Sequence, residues 1–220
     1  MTPELVLHVG PTGHGLDLPA LFGPRVELRP PARRGDVAEL VRTAPPGRLA
    51  IVDGTFHGHP AVGHAELRTA LAAGWRVWGL ASMGAIRAAE LRHLGMRGHG
   101  EVYERYAGPG EFDDDEVTLL HGADAPYPPL SEPMVHLRGF LADLSARGLL
   151  GPAAADRVTA ALKRRWYAER TLPELARALV GTGELSAARV ERELAGFDRF
   201  RCKTRDLLDF AAARPWTDRD

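Results

Sequence analysis

Arg76-Val77-Trp78-Gly79-Leu80-Ala81-Ser82-Met83-Gly84-Ala85 changes character within ten residues. Residues 76–81 form a short apolar run rich in strand-forming side chains. From Ala85 to Leu94 the apolar positions recur at helical spacing, and Gly95 supplies a stop. A buried strand that runs straight into a helix is the repeating half of a parallel sheet, because parallel neighbours need a crossover between them.

Working outward, the same alternation recurs. Residues 5–9 read as a buried strand, 26–28 as a weaker one and 49–52 as a third. Asp36 is placed to cap a helix that carries Val37, Leu40 and Val41 on one face. Residues 64–73 form a second helical pattern with Leu67, Ala70 and Leu71 inward, ended by Gly74. Val117-Thr118-Leu119-Leu120 reads as a fifth strand. The fold class expected is α/β: an open, mostly parallel, three-layer sheet domain with a C-terminal helical appendage. From Glu132 onward only helical spacing remains, with Met134, Leu137, Leu141 and Leu144 on one face. Further helices are expected at 154–167, 172–180 and 187–213. The domain expectation is an α/β core over 1–150 and a helical extension over 151–220.

Composition narrows the function classes. The chain has 220 residues, 45% of them hydrophobic, which is enough for a real core. A formal net charge of −1 gives no global field for nucleic acid or an anionic membrane. One cysteine, Cys202, excludes an internal disulfide framework and a cysteine-rich zinc site. No basic start is followed by an apolar run, and no apolar stretch nears the roughly 20 residues of a membrane helix, so a cytoplasmic protein is expected.

In open parallel sheets ligands sit beyond the carboxyl ends of the strands. Those ends are Gly10-Pro11-Thr12, Asp53-Gly54-Thr55-Phe56-His57 and Ala81-Ser82-Met83-Gly84. The glycine spacing from Gly10 to Gly15 fits a phosphate loop. However, Leu16 stands where Lys is needed and Asp17 where Ser or Thr is needed, so a structural turn is expected and no nucleotide cofactor. Ser82 opens a helix, at the positive end of its dipole, where the amides of Met83 and Gly84 could hold an oxyanion. This is the logic of a nucleophile elbow, although Leu80 replaces the first glycine of that motif. A plain N-cap serine fits the residues as well. Asp53 and His57 leave a neighbouring strand and could serve Ser82 as orienter and base. His57-x-His59 also fits a zinc hydrolase, but nothing in the sequence completes a ligand set, and no metal is expected. Asp113-Asp114-Asp115-Glu116 reads as a solvated loop, and Arg29 to Arg34 as a basic one.

Several strings in order resemble the TfuA-like family. They are Leu28-Arg29-Pro30-Pro31 with Arg33-Arg34-Gly35-Asp36, Asp53-Gly54-x-Phe56-His57, His64-x-Glu66, and Ala81-Ser82-Met83-Gly84-Ala85-x-Arg87-Ala88-Ala89-Glu90-Leu91. Beyond them come Asp113-Asp114-Asp115-Glu116-Val117, His121-Gly122 and Leu130-Ser131-Glu132-Pro133-Met134-Val135. The resemblance implies a partner of a YcaO enzyme in thioamidation of peptide backbones, where the YcaO enzyme uses ATP to activate an amide. It implies that the TfuA-like member hydrolyses the C-terminal thiocarboxylate of a ThiS-like carrier protein, releasing sulfide, or strengthens the YcaO enzyme's hold on a precursor peptide. Ser82, His57 and Asp53 are then the expected catalytic residues, with Met83 and Gly84 at the oxyanion. The expected substrate-binding residues are Thr12, Arg29, Arg33, His64, Glu66, Arg87, Glu90, Asp115 and Glu132. A non-catalytic scaffold and a metal-dependent small-molecule hydrolase are the alternatives. A homo-oligomer is compatible with the sequence, which does not fix the state.

Overall fold

A computed structural model describes residues 2–56, 58–109 and 112–218. Two compact units emerge. The first holds residues up to 114, 123–127 and 203 onward; the second holds 115–122 and 128–202.

The first unit is built on five parallel strands in the order β2-β1-β3-β4-β5: β1 (Leu5–His8), β2 (Val26–Arg29), β3 (Arg48–Ile51), β4 (Arg76–Leu80) and β5 (Arg97–His99). The helices follow chain order: α1 (Leu18–Phe22), α2 (Asp36–Thr43), α3 (His64–Ala72), α4 (Met83–Leu91) and α5 (Glu101–Ala107). Strand side chains alternate between two buried faces, as a doubly covered parallel sheet requires. Val6, Leu49, Ile51 and Val77 pack with Val37 and Leu40 of α2, Leu67 and Ala70 of α3, and Ala88 and Leu91 of α4. Leu5, Leu7, Ala50, Trp78 and Leu80 face Phe22 of α1 and the residues Leu207, Phe210 and Trp216 from the far end of the chain. The three-layer α/β expectation therefore holds.

The fifth strand is not where periodicity put it. Val117-Thr118-Leu119-Leu120 forms no strand; Leu120 instead accepts from the amides of Leu130 and Ser131 at 2.8 and 3.3 Å. Pro128 and Pro129 precede these donors and carry no N–H, so a regular ladder cannot be built there. The true edge is Arg97-Gly98-His99, which pairs with Trp78 to Leu80. It is short and charged, the usual way of blunting a sheet edge.

The second unit contains α6 (Met134–Ala146), α7 (Pro152–Lys163), α8 (Leu172–Val180) and α9 (Ala187–Leu194). Its core includes Leu137, Phe140, Leu144, Val158, Leu162, Leu175, Leu179 and Phe197. The single helix expected over 187–213 is two. A 3₁₀ turn at Phe197–Phe200 follows Gly196, and both phenylalanines pack on Phe140 with ring centroids 5.4 and 5.3 Å apart. The last helix, α10 (Cys202–Ala213), then returns to the sheet unit.

Asp206 of α10 caps α5, accepting from the amides of Glu101 at 2.7 Å and Val102 at 3.0 Å. Burial pushes its carboxyl up to about 6 in spite of these bonds. The folded chain thus binds a proton here that the unfolded chain has released above its usual value near 4. Asp206 favours folding most below that value, and this contribution is lost as pH rises through about 6. In urea unfolding, Asp206→Asn should flatten this limb. Wild type should lose about 3 kcal/mol relative to the variant between pH 4 and 7, on the order expected for a two-unit shift. Parallel curves would remove Asp206 as the cause.

Candidate functional site

Three strand ends converge in the first unit. At the end of β4 the chain turns within three residues: the Ser82 amide donates to the Leu80 carbonyl at 2.6 Å, and Ala81 between them takes φ +61°. A positive φ at a residue with a Cβ is strained, and a turn this tight is rare. Ser82 then stands at the N-cap of α4, 2% exposed. Its carbonyl accepts from Ala85 at 2.9 Å, yet its hydroxyl makes no capping bond to the helix. An N-cap serine ordinarily uses that oxygen on the second or third amide.

The start of α4 lies directly on the sheet. A Cβ on Gly84 would stand 1.7 Å from the Ile51 carbonyl oxygen, and one on Gly79 would stand 2.0 Å from that of Gly84. Of the two amides expected at an oxyanion, that of Gly84 donates to the Val52 carbonyl at 3.3 Å.

Asp53, just after the end of β3, is 2% exposed and accepts three hydrogen bonds. Its Oδ2 accepts from the amides of Gly10 at 2.9 Å and Thr12 at 3.1 Å, and its Oδ1 accepts from the Thr12 hydroxyl at 2.7 Å. Lys203 Nζ of α10 stands 3.9 Å from Oδ1, itself 2% exposed. The Gly10-to-Gly13 segment is a 3₁₀ turn fastened by this carboxylate. His57, the expected base, lies outside the described residues.

The start of α3 and the later turns of α4 gather four of the expected binding residues. His64 Nε2 and Arg87 Nη1 both meet Glu90 Oε2 at 2.7 Å, and Arg87 Nε donates to the Val62 carbonyl at 3.0 Å. Glu66 accepts from the amides of Gly63 at 2.7 Å, Gly35 at 3.0 Å and Ala38 at 3.3 Å. One carboxylate thereby serves the first turns of both α2 and α3, where the helix dipole favours negative charge. Arg29 pairs with Glu27 on the edge strand at 2.7 Å. Arg33 has its amide on Asp36 and its side chain exposed.

Asp115 and Glu132 belong to the second unit, in ion networks of their own. Asp115 is held by Lys163 and Arg170. Glu132 meets His136 at 2.9 Å and Arg201 at 2.7 Å; burial works against its charge, but these two partners hold it below the usual carboxylate range.

Two residues of the strand-end cluster escaped the sequence reading. Lys203 is one. The other is His8, 2% exposed, whose carbonyl accepts from the Val52 amide at 2.9 Å. Its Nδ1 lies 2.8 Å from the Pro30 carbonyl, so that nitrogen carries the proton, while Nε2 has no partner among the described residues. Burial pulls its pKa down, which favours the neutral ring. Among the described residues no group of three or more His, Cys, Asp or Glu is placed to hold a metal ion. No described helix is long and apolar enough to cross a membrane.

A comparison with curated proteins gave no match. Against protein families, the model described as TfuA-like protein matches residues 53–171, which spans Asp53, the Ser82 turn, the Arg87 cluster and both ion networks' carboxylates but not Thr12 or Lys203. With more than half of its length under that match, the chain belongs to the TfuA-like protein family.

Proposed function

We propose that this protein works beside a YcaO enzyme in backbone thioamidation and hydrolyses the thiocarboxylate of a ThiS-like carrier to release sulfide. The observation that carries this reading is the Ser82 turn. A serine on a strained strand-to-helix turn, at the positive end of α4 and with its hydroxyl unused as a cap, suits attack on an acyl carbon. Thiocarboxylate cleavage needs an attacking oxygen, a base and donors for the developing oxyanion. Ser82 supplies the first, and His57 is the base to which its proton passes in this reading. The Met83 amide and the α4 dipole supply the last, since the Gly84 amide is engaged with Val52. Asp53 acts by fixing the Gly10-to-Gly13 turn, from which all three of the hydrogen bonds it accepts come. The extended, anionic carrier tail is met by Arg33 and by Arg87, whose guanidinium is held in place by Glu90 and the Val62 carbonyl.

The same engagement of Asp53 and Gly84 favours a second reading, in which the protein binds carrier or precursor peptide for the YcaO enzyme without chemistry of its own. One experiment separates the two. Purified protein is mixed with thiocarboxylated carrier and sulfide is followed. Ser82→Ala should lower release by at least about 10³-fold, the usual scale for losing a nucleophile. Release that survives the substitution removes the serine mechanism. No release by the unaltered protein, with the YcaO enzyme still stimulated, leaves the scaffold.

A further inference from the structure

Resting on the hydrolase reading above, we propose that Lys203 is a positioning residue of the strand-end site, supplied by the last helix. Lys203 is among the largest fully buried side chains of the chain. A lysine almost never goes fully inside without a partner, since taking its charge out of water costs several kcal/mol. A methionine or leucine would fill the same place on α10 without that cost. The ammonium stands 3.9 Å from Asp53 Oδ1, beside the carboxylate that collects Gly10, Thr12 and the Thr12 hydroxyl. The next residue repeats the connection, with the Thr204 hydroxyl donating to the Thr12 carbonyl at 3.3 Å. Thr12 is thus clasped from both sides, by Asp53 of β3's end and by the first turn of α10.

Chain order adds a consequence. The second unit ends at Cys202, and Lys203 is the first residue back in the sheet unit. The strand-end turn is therefore complete only when α10 is seated. The family match includes Asp53 but, ending at residue 171, neither Lys203 nor Thr204. Lys203 contacts the turn's carboxylate and not the reacting atoms, so its effect is on placement. Misplacing a binding group by about 1 Å costs on the order of 10²-fold in rate.

The test uses the full chain carrying Lys203→Met, Lys203→Gln or Lys203→Arg. Amide hydrogen exchange and sulfide release from thiocarboxylated carrier are both measured. In Lys203→Met the amides of Gly10, Thr12 and Gly13 should exchange at least about 10-fold faster, with those of β3 and β4 unchanged, as in local rather than global opening. The kcat of release should fall about 50- to 100-fold with KM within about threefold, the split expected of lost positioning. Lys203→Arg, which keeps the charge, should recover most of the protection and part of the rate. Should Lys203→Met fail to fold, Lys203→Gln against Lys203→Arg makes the same comparison. Wild-type protection in the neutral variants, or equal loss in the arginine and neutral variants, overturns the proposal. If the unaltered protein releases no sulfide, the hydrolase reading fails alone, and the exchange arm still decides the role of Lys203.

Discussion

Gly84→Ala is expected to abolish the folded protein. A Cβ at this position would stand 1.7 Å from the carbonyl oxygen and 2.6 Å from the carbonyl carbon of Ile51. Both are backbone atoms of a central strand, so no side chain can swing aside. Overpacking against flexible side chains costs about 1–3 kcal/mol. Here α4 must lift from β3, and the cost should exceed about 4–5 kcal/mol, a large part of the 5–15 kcal/mol that holds most domains together. Helix propensity works the other way, since alanine is favoured over glycine by about 1 kcal/mol inside a helix. The contact decides the sign. Gly139 of α6 serves as the control: a Cβ there has as its nearest neighbour Phe200 Cδ1 at 3.8 Å, an ordinary contact. Gly139→Ala should therefore stabilise by up to about 1 kcal/mol. Soluble yield and urea unfolding of the two variants give the comparison. A folded Gly84→Ala protein within about 1 kcal/mol of wild type would mean that α4 does not rest on β3. The requirement also shows why Ser82 sits where it does. The small residues Gly79 and Gly84 let the helix start drop onto the strand ends, which brings the serine and the α4 dipole to the mouth of the sheet.

The strand–turn–helix at Ser82 was legible because each part obeys its own period, and the parallel sheet followed from it. Thr12, Asp53 and Ser82 were legible for a related reason: they are polar residues at the carboxyl ends of apolar runs. Arg97-Gly98-His99 was not, because an edge strand of three residues needs no apolar run and its pairing is set by tertiary context. Val117 to Leu120 has the composition of a strand, but its hydrogen bonds are drawn into a proline-bounded loop. Lys203 was not legible because a lysine in a charged helical segment ordinarily lies on the solvated face. A signal was present: Lys203, Leu207 and Phe210 fall at i, i+4 and i+7, on the buried stripe of α10. His8 gave less warning, since a strand buried on both faces has no alternation from which to pick a functional position. The strings containing Asp115 and Glu132 marked the family correctly. His136, four residues after Glu132, is a partner that helical spacing could have offered; Lys163, Arg170 and Arg201 lie too far along the chain for any spacing to pair them with these carboxylates.

Arg170 is where that helical unit should prove most fragile. Its guanidinium is 2% exposed and spends its donors on one loop and one helix end. Nε reaches the Leu162 carbonyl at 3.1 Å and Nη1 the Asp115 carbonyl at 3.0 Å. Nη2 reaches Asp115 Oδ2 at 2.6 Å, with the carbonyls of Lys163 and Arg165 at 3.0 and 3.1 Å. Arg170→Met leaves these carbonyls and a carboxylate without their partner, and should cost about 3–5 kcal/mol in urea unfolding, the scale of breaking a buried ion pair from one side. Arg170→Lys keeps the charge but loses the planar fork, so it should recover less than half of that loss. Asp115→Asn should be milder, at about 1–2 kcal/mol, because Lys163 retains Glu116 at 2.9 Å and Arg170 retains its carbonyl partners. The order Met, Lys, Asn in decreasing damage follows from counting directed bonds. If charge alone held the loop, Arg170→Lys would match wild type and Asp115→Asn would be the worst of the three. The ranking therefore bears on Asp115 itself. Should Asp115→Asn be mild in stability yet abolish sulfide release by folded protein, the carboxylate has a task beyond the clasp. Should release survive, Asp115 works as the anchor that holds Arg170 across the end of α7, and the acidic string that helps mark the family is there to build the helical unit.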